Sequence, residues 1–318
     1  MAPSTIARET WVRPPRLEPG DRVRVIAPAG PVPRGPFQTG VAELARLGLV
    51  AEWDESLFER RFIFAGTEER RRVECERAFT DPEAKAVLAA RGGGGTVRIL
   101  PIPALDTLRE RPRAFSGFSD LTILHQAMAA RRLVSFYGPM VAWDMARAEG
   151  AEGGYDEALF RRLLLDGEPG GRIAPEGVRF VRGGSAEGRL AGGCLSLLSA
   201  CVGTPEAPSF EDAVVVLEDE NEFPHRVDRF LHHLRRAGTF RGARAVVLGD
   251  FPGCEPRPGT DMTVRDVFED FFADFDGPVA WGYPIGHTSR ANLTIPLGTR
   301  ARLEDRGGGL DLLEPACR

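Results

Sequence analysis

The chain has 318 residues, 42% hydrophobic and 27% charged, a balance typical of a globular protein with room for two domains. Its formal net charge of −5 argues against a nucleic-acid partner, because binding to a phosphate backbone depends on clustered cations. No stretch approaches the roughly 20 apolar residues that span a bilayer, and the N-terminus lacks the apolar core of a secretory signal. No membrane association is therefore expected.

Five widely spaced cysteines form no CxxC pair. An odd number without that spacing predicts neither a disulfide framework nor a zinc site. We therefore expect no bound metal and a cytoplasmic location.

The first half of the chain alternates strands and helices. Strands are predicted at 22–30, 84–90, 114–118 and 133–138, and helices at 40–50, 67–81 and 119–132. Because crossover helices join parallel strands, this order predicts an α/β domain with a parallel sheet.

From about residue 141 the chain is rich in glycine and polar residues. We predict a linker there, at 146–185, with one helix at 155–167. Beyond it, helices are predicted at 192–204, 226–240 and 263–275, strands at 211–220, 243–251 and 279–287, and a final hairpin from 292–304 and 309–314. The second half is thus a second α/β domain.

Ser119 stands in a Gly-x-Ser sequence between a buried strand and a helix. Such a junction makes a sharp turn that exposes the hydroxyl, and the helix N-terminus offers N–H groups to a developing oxyanion. The arrangement is similar to a nucleophile elbow, although Leu121 replaces the closing glycine of GxSxG. The alternative is that Ser119 or Asp120 only caps the helix.

The run RGGGG (91–95) follows a buried strand directly. Successive glycines let the backbone approach a ligand and present N–H groups as an anion site. The run lacks the spacing and the lysine of a phosphate-binding loop, so a plain flexible turn is the alternative.

Glu218 ends the apolar run 213–217, at the strand edge where ligands gather in open α/β sheets. The alternative is an acid that faces water, as we expect for the neighbouring Asp219, Glu220 and Glu222. His287 follows a strand on a loop rich in glycine and proline, which makes it the best-placed general base. The histidines at 125, 232 and 233 lie in helices, where packing or surface roles are expected.

The order of these candidates is more informative than any one of them. A serine hydroxyl needs a base to take its proton, and a neutral imidazole needs a carboxylate to fix its tautomer. A cleft between the two halves could bring Ser119, Glu218 and His287 together.

The chain resembles the LD-carboxypeptidases, or muramoyltetrapeptide carboxypeptidases, a serine peptidase family that includes the microcin C immunity peptidases. The resemblance covers about residues 17 to 304. The segments that carry it are LEPGDRVRVIAPAGP (17–31), FAGTEERR (64–71), ARGGGGTVRILP (90–101), GFSDLTILH (117–125), YGPM (137–140), GGCLSLLSACVGTP (192–205), VVVLEDENEFPHRVDRFL (214–231), VVLGDF (246–251) and YPIGHTSRANLTIPLG (283–298).

The resemblance implies a cofactor-free serine peptidase. The family's serine, glutamate and histidine motifs fall on Ser119 as nucleophile, Glu218 as the acid that orients the histidine, and His287 as general base. Its oxyanion hole falls on backbone N–H groups of Asp120 and of Gly92 or Gly93. The implied reaction cuts an amide between an L- and a D-centre in a small peptide or muropeptide, releasing terminal D-alanine from murein tetrapeptides in peptidoglycan recycling.

The implied fold has an N-terminal flavodoxin-like parallel sheet with flanking helices and a C-terminal mixed α/β domain, usually in a homodimer. We divide the chain into a lead-in (1–16), an N-terminal domain with the nucleophile (17–145), the linker (146–185) and a C-terminal domain with the acid and the histidine (186–318).

Three positions depart from the family pattern. Gly94 stands where the family loop carries an aromatic residue, Tyr137 where it carries histidine, and Cys194 where it carries asparagine. We expect these positions to shape the substrate pocket. The open alternatives are a microcin C immunity-type peptidase that cleaves peptidyl- or aminoacyl-nucleotides and a non-catalytic muropeptide-binding protein.

Overall fold

The computed structural model describes residues 10–147 and 153–318. Residues 1–9 of the predicted lead-in and 148–152 of the predicted linker thus lie outside the described residues. The described ranges form two β-sheets with flanking helices, which is the expected α/β class. The helices are α1 (Arg34–Arg46), α2 (Glu68–Thr80), α3 (Ala104–Thr107), α4 (Thr122–Ala130), α5 (Glu157–Leu164), α6 (Leu195–Ala200), α7 (Pro224–Arg236) and α8 (Val264–Phe271). No helix in these ranges is long and apolar enough to cross a membrane.

The first sheet is built from the strands of the N-terminal half. These are β1 (Arg22–Ile26), β2 (Val50–Glu52), β3 (Ala84–Ala89), β4 (Ala114–Gly117) and β5 (Ser135–Tyr137). They run parallel in the order β5-β4-β3-β1-β2. The predicted parallel sheet is therefore confirmed.

The later strands are β6 (Pro169–Ile173), β7 (Arg179–Arg182), β8 (Ser185–Cys194), β9 (Ala213–Glu218), β10 (Ala245–Leu248), β11 (Val279–Trp281), β12 (Ile295–Leu297), β13 (Arg300–Glu304) and β14 (Gly309–Pro315). All except β12 form a second, mixed sheet in the order β6-β14-β13-β8-β9-β10-β11-β7. Its centre, β8 to β11, is parallel, and antiparallel strands lie on both sides.

Strand β9 lies between two hydrophobic cores. Val214 and Val216 pack into the core shared with the first sheet. Val215 and Leu217 pack on the opposite face, against α6, α7 and α8. Because side chains alternate along a strand, an unbroken apolar run is what burial on both faces requires. Glu218 ends this fully buried strand.

Two strands differ from the sequence-based expectation. Strand β8 continues through Gly192 and Gly193, so the predicted helix at 192–204 is shorter and begins at Leu195. Strand β12, predicted as part of the final hairpin, instead joins the edge of the first sheet, antiparallel to β5. It contains Pro296, and a proline without an N–H suits an edge strand. The hairpin itself consists of β13 and β14.

The segment predicted as a linker, 146–185, contains α5 and also β6 and β7, which pair within the second sheet. The described part of the lead-in contacts the first domain, where Val12 forms a bridge with Leu133. The domain boundaries themselves stay a prediction.

Candidate active site

Ser119 directly follows the turn out of β4 and has a left-handed backbone, with φ of +63°. Residues Ser119–Leu121 form a 3-10 turn that leads into α4. Such a conformation is costly for a residue with a side chain and persists only where the surroundings enforce it. A strained serine between a parallel strand and a helix has the mechanics of a nucleophile elbow.

Three contacts hold this turn in place. The carboxylate of Asp120 accepts a hydrogen bond of 2.8 Å from the backbone N–H of Thr96, which ties the turn to the end of the glycine run. The hydroxyl of Tyr137 accepts one of 3.2 Å from the backbone N–H of Ser119. The ring of His125 bonds to the carbonyl of Gly117 at 2.8 Å.

His125 is fully buried, and burial lowers its pKa to about 4, so the ring is neutral. Because a carbonyl only accepts, Nε2 carries the proton and donates to Gly117. Nδ1 then accepts from the hydroxyl of Ser135, 2.8 Å away. His125 was predicted to have a packing or surface role, and its hydrogen bond to Gly117 also holds the end of β4, the strand that precedes the nucleophile.

The glycine run lies against the nucleophile. A Cβ on Gly92 would lie 3.0 Å from Cβ and 3.2 Å from Oγ of Ser119, so a side chain there would crowd the nucleophile. Gly93 has φ of +123°, a conformation that favours glycine. The carbonyl of Gly92 accepts from the N–H of Gly30 at 3.0 Å, which fixes the loop. The oxyanion roles of Asp120, Gly92 and Gly93 stay predictions.

Glu218 is fully buried and accepts three hydrogen bonds. Its Oε2 accepts from Nδ1 of His287 at 2.7 Å and from the backbone N–H of His287 at 2.9 Å. Its Oε1 accepts from the hydroxyl of Tyr137 at 2.5 Å. A Cβ on Gly286 would lie 2.5 Å from Cδ of Glu218, so the backbone before His287 passes directly over the carboxylate.

Tyr137 joins the two halves of the site. Its hydroxyl contacts both the Ser119 N–H and Glu218, and the three hydrogen bonds Ser119–Tyr137, Tyr137–Glu218 and Glu218–His287 form one continuous chain. The ring of Phe118 packs edge-on against the imidazole, with 5.2 Å between centroids. The structure therefore brings Ser119, Glu218 and His287 into one cluster across the two sheets. Among the described residues, the Ser119 hydroxyl itself makes no hydrogen bond.

His287 contacts a second carboxylate. Its Nε2 lies 3.1 Å from Oε1 of Glu220. Burial alone would lower the pKa of His287, but the charge and hydrogen bond of Glu218, joined by those of Glu220, raise it to about 11.

The expectation that Asp219, Glu220 and Glu222 are solvated was wrong for Asp219, whereas Glu220 is exposed and Glu222 is half-buried. Asp219 is buried, accepts from the N–H of Ser196 at 2.7 Å, and burial raises its pKa to about 6. Glu222 pairs with Arg226 at 2.6 Å. Asp219 directly follows the buried strand β9 and lies against the start of α6, and a run of acidic residues in the sequence gives no signal of that burial.

The three pocket candidates occupy different surroundings. Tyr137 is fully buried, and Cys194 is 3% exposed, with its N–H donating to Thr122 at 3.0 Å. Gly94 has nothing within 4 Å of the position of a Cβ and lines a cavity of about 500 Å³. The cavity is lined by Gly30, Pro31, Val32, Pro33, Phe58, Arg60, Ile63, Arg91, Gly93 and Gly94. The part these positions play in substrate selection stays a prediction.

Both halves of the chain match domains of known proteins. Residues 23–138 match the LD-carboxypeptidase N-terminal domain, and residues 187–303 match the LD-carboxypeptidase C-terminal domain. The probable murein peptide carboxypeptidase of Bacillus subtilis (strain 168) is 32% identical over 92% of this chain and 91% of its own length.

Two solved structures extend the comparison. The muramoyltetrapeptide carboxypeptidase of Oxalobacter formigenes is 29% identical, with a TM-score of 0.79 over 92% of this chain and all of its own. The microcin C7 self-immunity protein MccF in its apo state is 21% identical, with a TM-score of 0.86 over 96% of this chain and all of its own. At that identity the second likeness concerns the fold.

Proposed function

Because the chain belongs to the LD-carboxypeptidase family, and is thereby a peptidase-type hydrolase, we propose that it releases the terminal D-alanine of murein tetrapeptides by cutting an L,D-amide bond in peptidoglycan recycling. Ser119, Glu218 and His287 carry the reaction. The observation that supports these roles most directly is the chain of hydrogen bonds from the Ser119 turn through Tyr137 and Glu218 to His287.

In the acylation step, Nε2 of neutral His287 takes the proton of the Ser119 hydroxyl as the oxygen attacks the scissile carbonyl. The Nδ1–H donates to Glu218, which fixes the tautomer and stabilises the imidazolium that forms. Backbone N–H groups of Asp120 and of Gly92 or Gly93 stabilise the oxyanion.

Collapse of the tetrahedral intermediate releases D-alanine, whose nitrogen takes the proton from His287. A water molecule then attacks the acyl-enzyme, with His287 again as base, and Ser119 is regenerated.

We further propose that Tyr137 is a positioning residue. Its hydroxyl holds Glu218 from the side opposite His287 and holds the Ser119 backbone, so it sets the relative placement of acid and nucleophile. The arginine-bearing cavity beside Gly94 is the candidate place for an anionic part of the substrate, because Arg60 and Arg91 line it and no acidic side chain does.

The deciding experiment incubates the protein with murein tetrapeptide and, in parallel, with an aminoacyl sulfamoyl adenosine, and follows products by mass spectrometry. We expect tripeptide and free D-alanine. Cleavage of the nucleotide analogue alone would replace the murein substrate with that of a microcin C immunity-type peptidase.

Ser119→Ala should abolish turnover with folding intact, and Ser185→Ala, at an exposed serine of β8, is the matched control. A serine-directed acylating reagent should label Ser119. A protein that binds muropeptides but neither turns them over nor reacts at Ser119 would be the non-catalytic binding protein.

We also propose a cytoplasmic homodimer. All five cysteines are free and buried, which supports a reducing compartment. Light scattering coupled to size-exclusion chromatography tests the dimer, and a single peak near the chain mass of 34.7 kDa would contradict it.

A further inference from the structure

We propose that Glu220 is a displaceable cap on the catalytic base His287. In the free protein its carboxylate pairs with Nε2 of His287, and it must move away before Ser119 can transfer its proton to that nitrogen. The contact between Nε2 and Oε1 of Glu220 is 3.1 Å. The inference rests on the proposed function, because it assigns His287 the role of general base.

The geometry leaves only Nε2 of His287 to accept a proton from the nucleophile. Nδ1 is engaged by Glu218 at 2.7 Å, and Glu218 is fixed by three hydrogen bonds and fully buried. A proton from Ser119 can therefore reach the ring only at Nε2, which is the atom that Glu220 contacts.

Glu220 is held much more loosely than Glu218. Its side chain is 46% exposed, and among the described residues its only hydrogen-bond or ion-pair partner is His287. Its backbone is anchored instead, since its N–H donates to Asp219 at 2.9 Å. Rotation about the side-chain bonds therefore removes the cap without moving the strand end.

The two carboxylates around the imidazole also set its protonation state. Carboxylates only accept, so both ring nitrogens must carry protons, and the ring is an imidazolium. An imidazolium cannot accept the proton of Ser119. The cap therefore blocks the base sterically and by charge.

The other charged groups nearby do not offset this effect. Asp219 follows Glu218, and its carboxylate accepts hydrogen bonds from the backbone N–H groups of Ser196 and Glu220. Tyr137, from β5, donates to Glu218. Arg290 and Asp250, on the neighbouring loops, pair with each other. From the nucleophile turn, His287 meets the uncharged ring of Phe118.

The test is Glu220→Gln, which keeps the size of the side chain and removes its charge. The matched control is Glu222→Gln, two residues along, whose side chain pairs with Arg226 rather than His287. In the Ser119→Ala background, the His287 ring is titrated by NMR, which requires no turnover. In the active protein, kcat/KM for murein tetrapeptide is measured against pH.

We expect Glu220→Gln to lower the pKa of His287 by about one unit or more, since a carboxylate within hydrogen-bond reach raises the pKa of a cation by about 1–3 units. The rise of kcat/KM with pH should move to lower pH by the same amount, which makes the variant about tenfold more active on the acidic side. Glu222→Gln should match the parent in both measurements.

The two measurements separate the cap from the proposed function. An NMR shift in a protein that cleaves no peptide would keep the charge interaction between Glu220 and His287 and reject the peptidase assignment. Activity with an unchanged His287 titration and an unchanged pH profile in Glu220→Gln would reject the cap and leave the peptidase assignment in place.

Discussion

The two halves of the site are held by different kinds of force. The nucleophile turn depends on backbone geometry: Ser119 is strained at φ of +63°, and Gly92 packs so closely against it that a methyl group there would lie 3.0 Å from its Cβ. The acid–histidine pair depends on buried charge: Glu218 accepts three hydrogen bonds, two of them from His287.

The pKa values of two histidines show the same contrast between the two halves of the site. Burial among uncharged partners lowers the pKa of His125, beside the turn, to about 4. Although burial also opposes its charge, two carboxylates raise the pKa of His287 to about 11. We therefore expect catalysis to be most sensitive to steric changes at the nucleophile turn and to changes of charge at the acid–histidine pair.

Glu218→Gln tests the charged half and should have the largest effect among the variants below. An amide cannot stabilise the imidazolium that forms during acylation, and the equivalent change in a serine-protease triad lowers kcat about 10⁴-fold. We expect a loss of about 10³- to 10⁴-fold in kcat with little change in KM, measured as D-alanine release. Calorimetry serves as the check, because a variant that mainly unfolds would make Glu218 a structural residue.

Gly92→Ala tests the steric half. The added methyl group would lie 3.0 Å from Cβ of Ser119, tighter than most packing contacts, so Ser119 must shift by a few tenths of an ångström. Since a displacement of about 1 Å can cost about 10²-fold in rate, we expect a loss in kcat of up to about that size. Gly35→Ala, where a Cβ meets nothing within 4 Å, should leave kcat unchanged. Equal activity of both variants would remove the steric argument.

Much of this arrangement could be predicted from the sequence because it follows local rules. A Gly-x-Ser after an apolar strand predicts a strand-to-helix turn, and four of the five N-terminal strands follow from alternation with helices, while the three-residue strand β2 was not predicted. The continuation of β8 through Gly192 and Gly193 was not predicted, because glycine has no side chain to contribute to an alternation of apolar and polar residues. Gly192 is needed there for close approach, since a Cβ would lie 1.9 Å from the carbonyl oxygen of Val216 on β9.

The contacts across the sheets could not be predicted in this way. Tyr137 and Glu218 are far apart in the chain, and their hydrogen bond depends on how two separate sheets pack. Glu220 and His287 are also far apart in the chain, and they meet where the loops after β9 and β11 of the second sheet approach each other. The position of β12, which crosses to the first sheet, was not predictable either. Periodicity shows which face of an element is buried, but not which residue it meets.

Tyr137→Phe tests the residue that joins the two halves. The change keeps the ring and removes the hydroxyl bonded to Glu218 and to the Ser119 N–H. Since a hydrogen bond to a charged group contributes about 1.5–3 kcal/mol, kcat should fall about ten- to a hundredfold with little change in KM. Tyr283→Phe is the matched control, because that buried hydroxyl has no partner among the described residues. An equal loss in both variants would make the Tyr137 effect one of packing.

His125 provides the mildest test, through stability rather than rate. Its pKa is about 4 in the folded protein and ordinarily 6.5, because burial disfavours the charged ring. Between those values the unfolded chain binds a proton that the folded chain excludes, so this residue makes stability rise with pH from about 4 to 6.5 and fall on acidification.

Replacing His125 with glutamine removes that titration. Urea unfolding at several pH values should therefore show a shallower loss of stability below pH 6.5 in His125→Gln than in the parent, while His232→Gln, at an exposed helical position, should keep the parent slope. Parallel slopes in all three proteins would mean that His125 is already charged in the folded state. The nucleophile turn would then rest on buried charge as the other half does, and the contrast between the halves would be lost.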